Sequence, residues 1–331
     1  MKLLIALIFA LAGFAAATLL FPYQGFKTET YVDIPRGTGT AGIARELAAD
    51  GVIRYQWEFW LARLLQPSSK LQAGEYRFAK PASALDVFHR IARGDIYFLA
   101  FTVPEGSNIF DIARSLEEQG VMSSDEFLRA AEDPALIHDL APKARTLEGY
   151  LFPSTYRLPH KTAGRQLARM MTDEFRKQWV KLSAGKDAGV NRVVTLASLV
   201  EKETAAPDER PLVASVFRNR LAQGMRLQCD PTTIYAALLE NRYRGTIHKS
   251  DLASANPYNT YENLGLPPGP IANPGAQSLA AALEPAETPF LYFVAKPEGG
   301  VHQFSATIAQ HEKAVIAYRQ ALKHEGQRKI R

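Results

Sequence analysis

Between Lys2 and Lys27 the chain carries no charged side chain, and residues 3–21 read LLIALIFALAGFAAATLLF, interrupted only by Gly13 and Thr18. As a helix, about twenty apolar residues cross a hydrocarbon layer of roughly 30 Å. Three structures compete for such a run. A buried core helix in a soluble protein normally keeps a polar stripe, and none is present. A cleaved signal peptide could use the small residues Ala15, Ala16 and Ala17, yet the run continues through Leu19, Leu20 and Phe21. An uncleaved membrane anchor fits best. Lys2 and the α-amino group supply the only flanking positive charge, which favours an amino terminus inside the cytoplasmic (inner) membrane and the rest of the chain outside it.

The chain as a whole, 331 residues at 47% hydrophobic and 22% charged, suits about two folded domains and is not a disordered chain. The net charge of +5, from 39 basic and 34 acidic residues, forms no basic stripe, so nucleic acid is not expected as a partner. Cys229 is the single cysteine and cannot make an internal bridge.

A shift of 69 residues aligns residues 35–53, PRGTGTAGIARELAADGVI, with residues 104–122, PEGSNIFDIARSLEEQGVM. Each copy follows an alternating, strand-like run. Each continues as a helix with apolar residues at i and i+4, Ile43 and Leu47 or Ile112 and Leu116, and stops at Gly51 or Gly120. The stretches WEFWLARLL and DEFLRAA predict a second helix after each copy, with a strand at AGEYRF and a helix at SALDVFHRIARG between them. The repeat can be scaffold alone or a module that grips glycans. Trp57, Phe59 and Trp60 could stack on sugar rings, although packing of the helix pair suits them better.

The segment LEGYLFPST (residues 147–155) predicts an extended loop, and residues 165–179 an amphipathic helix. A surface loop follows at residues 183–189. In the next helix, marked by Val193, Leu196 and Val200, Glu201 falls on the small, apolar side near the end. A carboxyl group set against apolar surface keeps its proton near neutral pH, as a general acid requires. Glu203, two residues on, faces elsewhere. An EKE run is also what a solvated helix end looks like. A further helix at 209–223 carries Arg218 and Arg220, where structural ion pairing competes with a role at a carboxylate. The stiff stretch PYNTYENLGLPPGPIANPG, with turns at Gly265, Gly269 and Gly275, suits positioned binding groups. FLYFVAK and VHQFSAT alternate as a hairpin around residues 297–300, and a last helix with His311 ends in the basic tail QRKIR.

Taken in order, LEGYLFPSTY, VEKET, FRNRL, GMRLQCDPT, YNTY, GLPPGPIANPG, FLYFVA and HQFS resemble the YceG-like (MltG-type) endolytic murein transglycosylases over essentially the whole chain. Two positions depart from that pattern: Ser154 stands where an acid is usual, and Cys229 where a small hydroxyl or apolar residue is. The resemblance implies an α+β protein with a transmembrane helix (residues 1–26), a LysM-like duplicated strand–helix–helix module (27–158) and a mixed α+β catalytic domain (159–331). It implies a single-pass enzyme whose catalytic domain, on the periplasmic side, cuts within peptidoglycan glycan strands, held in the membrane through residues 3–22. Proteins of cell-wall synthesis are expected as partners.

By the same resemblance Glu201 is the catalytic acid. Glu148, Tyr150, Glu203, Arg220, Gln228, Asp230, Tyr258, Asn259, Tyr261, Asn273 and His302 are substrate-binding or supporting. The expected reaction joins the muramic acid 6-hydroxyl to its own C1, so no second nucleophilic carboxylate is needed. A hydrolytic muramidase with Glu148 or Asp230 as partner, and a non-catalytic wall-binding scaffold, are the rivals. No metal or other cofactor is expected: the seven histidines are dispersed without HExxH, and no nucleotide-binding glycine motif or GxSxG occurs.

Overall fold

The computed structural model describes residues 1–183, 189–297 and 299–328, and side chains as far as residue 322. The surface loop expected at 183–189 falls, except for its two ends, outside the described residues. So do Glu298 of the expected hairpin turn and the last three residues of the basic tail. The chain packs as two compact units, residues 1–100 with 157–161, and residues 101–156 with 162–331.

The first unit opens with α1 (Lys2–Leu20), which has no acidic residue in its first turn and no basic residue in its last. It is exposed as far as residue 14, and Thr18 and Leu19 are buried. Then follow β1 (Thr30–Ile34), α2 (Thr40–Ala49), α3 (Gln56–Leu65), β2 (Gly74–Phe78) and α4 (Ala84–Arg93). β1 and β2 pair antiparallel with Val32 opposite Tyr76. The period-2 alternation buries Val32, Ile34, Tyr76 and Phe78 and leaves Asp33 and Arg77 outside. Ile43, Leu47, Phe59 and Phe88 complete this core. Ser83 caps α4 by accepting the Asp86 N–H (3.1 Å), and Gly94 ends it in the left-handed region. Of the three aromatics on α3, only Phe59 packs the helix pair, 5.3 Å from Phe88; Trp57 and Trp60 remain exposed.

β3 (Leu99–Thr102) and β4 (Thr155–Leu158) form a second two-stranded sheet, with α5 (Ile109–Glu118) and α6 (Ser124–Ala131) between them in the chain. The strand–helix–helix–strand order of the first unit thus recurs, and Gly51 and Gly120 take the same left-handed φ of 67° after their helices. The boundary between the units runs through β3 and β4.

The second unit continues with α7 (Gly164–Ser183), α8 (Val190–Glu203), α9 (Arg210–Ala222), α10 (Asp230–Leu239), α11 (Lys249–Leu252) and α12 (Ala276–Leu283). The hairpin of β5 (Tyr292–Ala295) and β6 (His302–Ser305) and the long α13 (Ile308–Arg328) complete it. Phe293 lies opposite Phe304 in the hairpin. α8, α9 and α12 pack together as the centre of the unit. α10 and α12 have no helical signature in the sequence. DPTT places a proline and two β-branched residues first, but Pro231 sits in the opening turn, where its missing N–H costs nothing. α12 is short and small-residue, buried through Ser278, Leu279, Ala281 and Ala282.

The small side of α8 is what lets the stiff loop approach. Ser198 Oγ accepts the Ile271 N–H (3.1 Å) and donates to the Thr195 carbonyl (2.7 Å). Gly149, at φ 88°, lies so close to Pro270 and Val194 that any Cβ would overlap them. Gly265 takes a left-handed φ of 86°, whereas Gly269 and Gly275 do not.

Candidate active site

Glu201 and Glu203 sit in the last turn of α8, and their two-residue separation sends them to different surroundings. Glu201 does not meet the apolar surface that helix spacing suggests. Its Oε1 pairs with Arg210 at 3.2 Å, and its Oε2 accepts the Gly275 N–H at 2.9 Å. The two side chains are only 5% and 7% exposed. Arg210 also donates to Gln277 and faces Glu105 at 3.8 Å. Lys202 ties the same region to the Gly106 carbonyl (3.1 Å). Burial and the negative charge of Glu201 push the Glu105 carboxyl up, against the pull of Arg210. A Cβ at Gly275 would displace the Glu105 carboxylate from its present position. Both oxygens of Glu201 are therefore committed to neighbouring elements. Local spacing could not reveal this, since Glu105, Arg210 and Gly275 come from three distant parts of the chain.

Glu203 lines an open cleft of about 310 Å³ with Phe217, Arg220, Leu227, Gln228, Asp230, Tyr261, Phe293 and His311. Burial raises its pKa. The Cys229 thiol, bonded to it, opposes that shift, the negative charge of Asp230 adds to it, and His302 and Arg220 pull it down. The net direction is upward. Burial and the proximity of Glu203 also raise the Cys229 thiol. Asp230, in the first turn of α10, accepts the Tyr261 hydroxyl at 2.5 Å.

The loops holding these groups are stitched together by hydroxyls. Thr260 accepts the Cys229 N–H (3.0 Å), and Thr232 bonds to Thr260 (2.9 Å) and to the Cys229 carbonyl (2.6 Å). Gln228 is held at φ 52°, a left-handed backbone uncommon outside glycine, and donates its N–H to the Thr260 carbonyl (3.2 Å). Strain of this kind gathers where surrounding structure fixes a functional loop.

Among the described residues Arg220 has no ion-pair partner. It donates to the carbonyls of Leu291 (2.6 Å) and Leu227 (2.8 Å) and lies over the Tyr292 ring. His302 bonds Glu209 through its ring (2.7 Å) and its N–H (2.6 Å), and sets its edge against Phe293. His311 stacks on Tyr292, and its buried Nδ1 has no hydrogen-bond partner among the described residues. Sequence reasoning gave His311 no role, and only the folding of α13 brings it to the cleft wall. A larger groove of about 660 Å³ lies between the hairpin and α13, but among its described lining residues there is no carboxylate.

Besides Glu201 and His302, five residues expected at the site lie away from the cleft lining. Asn259 is fully buried and spends its amide on the carbonyls of Leu252 (2.9 Å) and Ser254 (2.8 Å) and its oxygen on the Tyr261 N–H (3.0 Å). Tyr258 packs its ring against Tyr235. Tyr150 is buried against Phe175 and donates to Asn191 (2.9 Å). Asn273 clamps the 147–155 loop, accepting from Gly149 (2.8 Å) and Leu151 (2.9 Å) while donating to Ser107 (2.9 Å) and Glu148 (3.0 Å). Glu148, 1% exposed, also accepts the Ile109 N–H at 3.0 Å.

Burial pushes Glu148 up to about 8, opposed by the bonds from Ile109 and Tyr235. Between its ordinary value of 4.5 and about 8, the folded protein holds a proton that the unfolded chain has released. Stability therefore falls as pH rises through that window. The Glu148→Gln variant should lose this slope, so that its Tm, followed from pH 5 to 8, changes less than that of the parent. An unchanged slope would show that Glu148 does not carry it.

The YceG-like family model matches residues 32–317. The chain is 32% identical over 311 residues to the endolytic murein transglycosylase of Bacillus subtilis, covering 88% of this chain and 85% of that protein. It is 29% identical over 323 residues to the endolytic murein transglycosylase of Streptococcus pneumoniae (strain D39), a match that spans 88% of this chain and 59% of the longer relative. A 2.6 Å crystal structure of a yceG-like protein from Listeria monocytogenes superposes with a TM-score of 0.58 at 30% identity, covering 87% of this chain and 99% of that one. With the model matched over most of its length and relatives aligned across both halves, this chain belongs to the YceG-like family.

Proposed function

We propose that this protein is a membrane-anchored endolytic lytic transglycosylase of peptidoglycan, and that Glu203, not Glu201, is its acid and base. The observation that carries the assignment is the position of Glu203, the one glutamate among the described residues lining the 310 Å³ cleft, with its pKa raised by burial and Asp230 beside it. Glu201 has both oxygens engaged by Arg210 and Gly275. The names of the Bacillus and Streptococcus relatives supply the substrate class and the kind of reaction.

In this reading Glu203, protonated, gives its proton to the oxygen bridging N-acetylmuramic acid and N-acetylglucosamine, and the β-1,4 bond breaks. The Glu203 carboxylate then takes the proton of the muramic acid 6-hydroxyl as that oxygen closes on C1. The products are a free N-acetylglucosamine 4-hydroxyl and a 1,6-anhydromuramoyl end, with the glutamic acid regenerated and no water consumed. Asp230, oriented by Tyr261, offers negative charge to the oxocarbenium-like state. α1 tethers the protein in the inner membrane, and the LysM-like repeat over 27–158 presents the glycan to the domain at 159–331.

Asp230 lies in the same cleft as Glu203, which also favours a second reading, a muramidase in which Asp230 helps activate water. Mass spectrometry of digested sacculi separates the two, because hydrolysis leaves reducing ends one water heavier than anhydro ends. Reducing ends alone would overturn the transglycosylase reading. A wall-binding scaffold would release nothing, and Glu203→Gln would then change nothing.

A further inference from the structure

We infer that α3 is a second membrane element, an interfacial helix whose outward face sinks into the lipid boundary beside α1. The inference rests on the reading of α1 as a membrane span. α1 is exposed from its start through residue 14, and its last turns, where Thr18 and Leu19 are buried, pack against α3 and α4. At 1.5 Å per residue the free stretch, residues 2–14, is about 20 Å long. A hydrocarbon layer of roughly 30 Å is longer than that. The missing length belongs to the part of α1 that is packed on the first unit. Placing that part in lipid takes its neighbours with it, since a short span must otherwise thin the bilayer.

The neighbour is suited to such a place. α3 is apolar on both sides. Phe59 and Ala62 face the core, while Trp57, Trp60 and Leu64, at i, i+3 and i+7, form the opposite face and are 38%, 48% and 74% exposed. Phe14 of α1 approaches Trp57 with ring centroids 6.3 Å apart. Phe14 precedes Leu20 by six residues, about 9 Å along the helix. That depth lies within the roughly 5–10 Å to which interfacial helices are buried, and tryptophan is the residue enriched at this level. Charge agrees as well. The only acid of α3, Glu58, is 2% exposed and accepts the N–H groups of Arg54 (3.0 Å) and Tyr55 (3.3 Å). Arg54, Arg63 and Lys70 lie on and beside the helix, as anionic headgroups would favour.

The test uses the full chain in vesicles of phosphatidylethanolamine and phosphatidylglycerol with brominated acyl chains. Trp179→Phe leaves Trp57 and Trp60 as the only tryptophans. The difference between the parent and the Trp57→Phe/Trp60→Phe protein gives the same signal with Trp179 in place. Bromines near the headgroups should remove more of this emission than bromines near the chain ends. Phe9→Trp, in a protein without the other tryptophans, reports α1, and deep bromines should quench it. Quenching at residue 9 without quenching of Trp57 and Trp60 would overturn the inference and leave the span intact. No quenching at either place would overturn both. A response of Trp57 and Trp60 to soluble peptidoglycan fragments, with none to bromine, would assign the face to glycan instead.

Discussion

Replacing Glu203 by Gln should abolish the release of glycan fragments from sacculi, lowering the rate by about 10²–10⁴-fold. The upper end is expected, because one group supplies the proton and then removes another, and no second nucleophile shares the work. Gln keeps the volume and one acceptor, so folding should change little. The intact enzyme should also lose activity as pH rises through the elevated pKa of Glu203, because the acid form must be present at the start. Glu201→Gln should behave differently. It weakens the contact with Arg210 and lowers stability, but its residual activity should keep the pH profile of the parent. The reverse pattern, an active Glu203→Gln protein and a well-folded, inactive Glu201→Gln protein, would return the chemistry to Glu201.

The second large effect is on folding. Arg210→Met leaves the Glu201 carboxylate, 5% exposed, without its cation, and breaking one side of a buried pair costs about 3–5 kcal/mol. Arg210→Lys should recover only part of that. A point charge on a flexible stem cannot span Glu201, Gln277 and Glu105 as the planar guanidinium does. The double variant Glu201→Met/Arg210→Met should lose much less than the single one, since no charge is left stranded. Denaturant unfolding of the parent, Glu201→Met, Arg210→Met and the double variant measures the coupling. A single Arg210→Met variant as stable as the parent would show that the pair adds nothing to the junction of α8, α9 and α12.

Much of the scaffold was legible along the chain because it is local. The i, i+4 apolar pairs of α2 and α5, the glycines that stop them, and the alternation in β1, β2, β5 and β6 each need only a few neighbouring residues. α10 and α12 were not legible, because burial against other helices, not propensity, makes them helical. The cleft was legible in part. Motifs around Glu203, Arg220, Gln228, Asp230 and Tyr261 are visible in sequence, and these residues line one cavity. Tyr150, Asn259 and Asn273 carry equally distinctive motifs, yet their polar atoms are spent on holding loops.

The sequence by itself determined the apolar amino-terminal run, the duplicated strand–helix–helix order and the two-residue spacing that parts Glu201 from Glu203. All of these are set by short-range periodicity. Which glutamate meets Arg210 and which faces the cleft was decided by the tertiary structure alone. The environment of a carboxyl group depends on charges and burial contributed by other elements of the chain, here Glu105 and Gly275 on one side and Asp230 and His311 on the other. The same holds for the amino-terminal run. Its composition suits a membrane, but only the packing of its last turns against α3 and α4 shows how much of it is free to cross one.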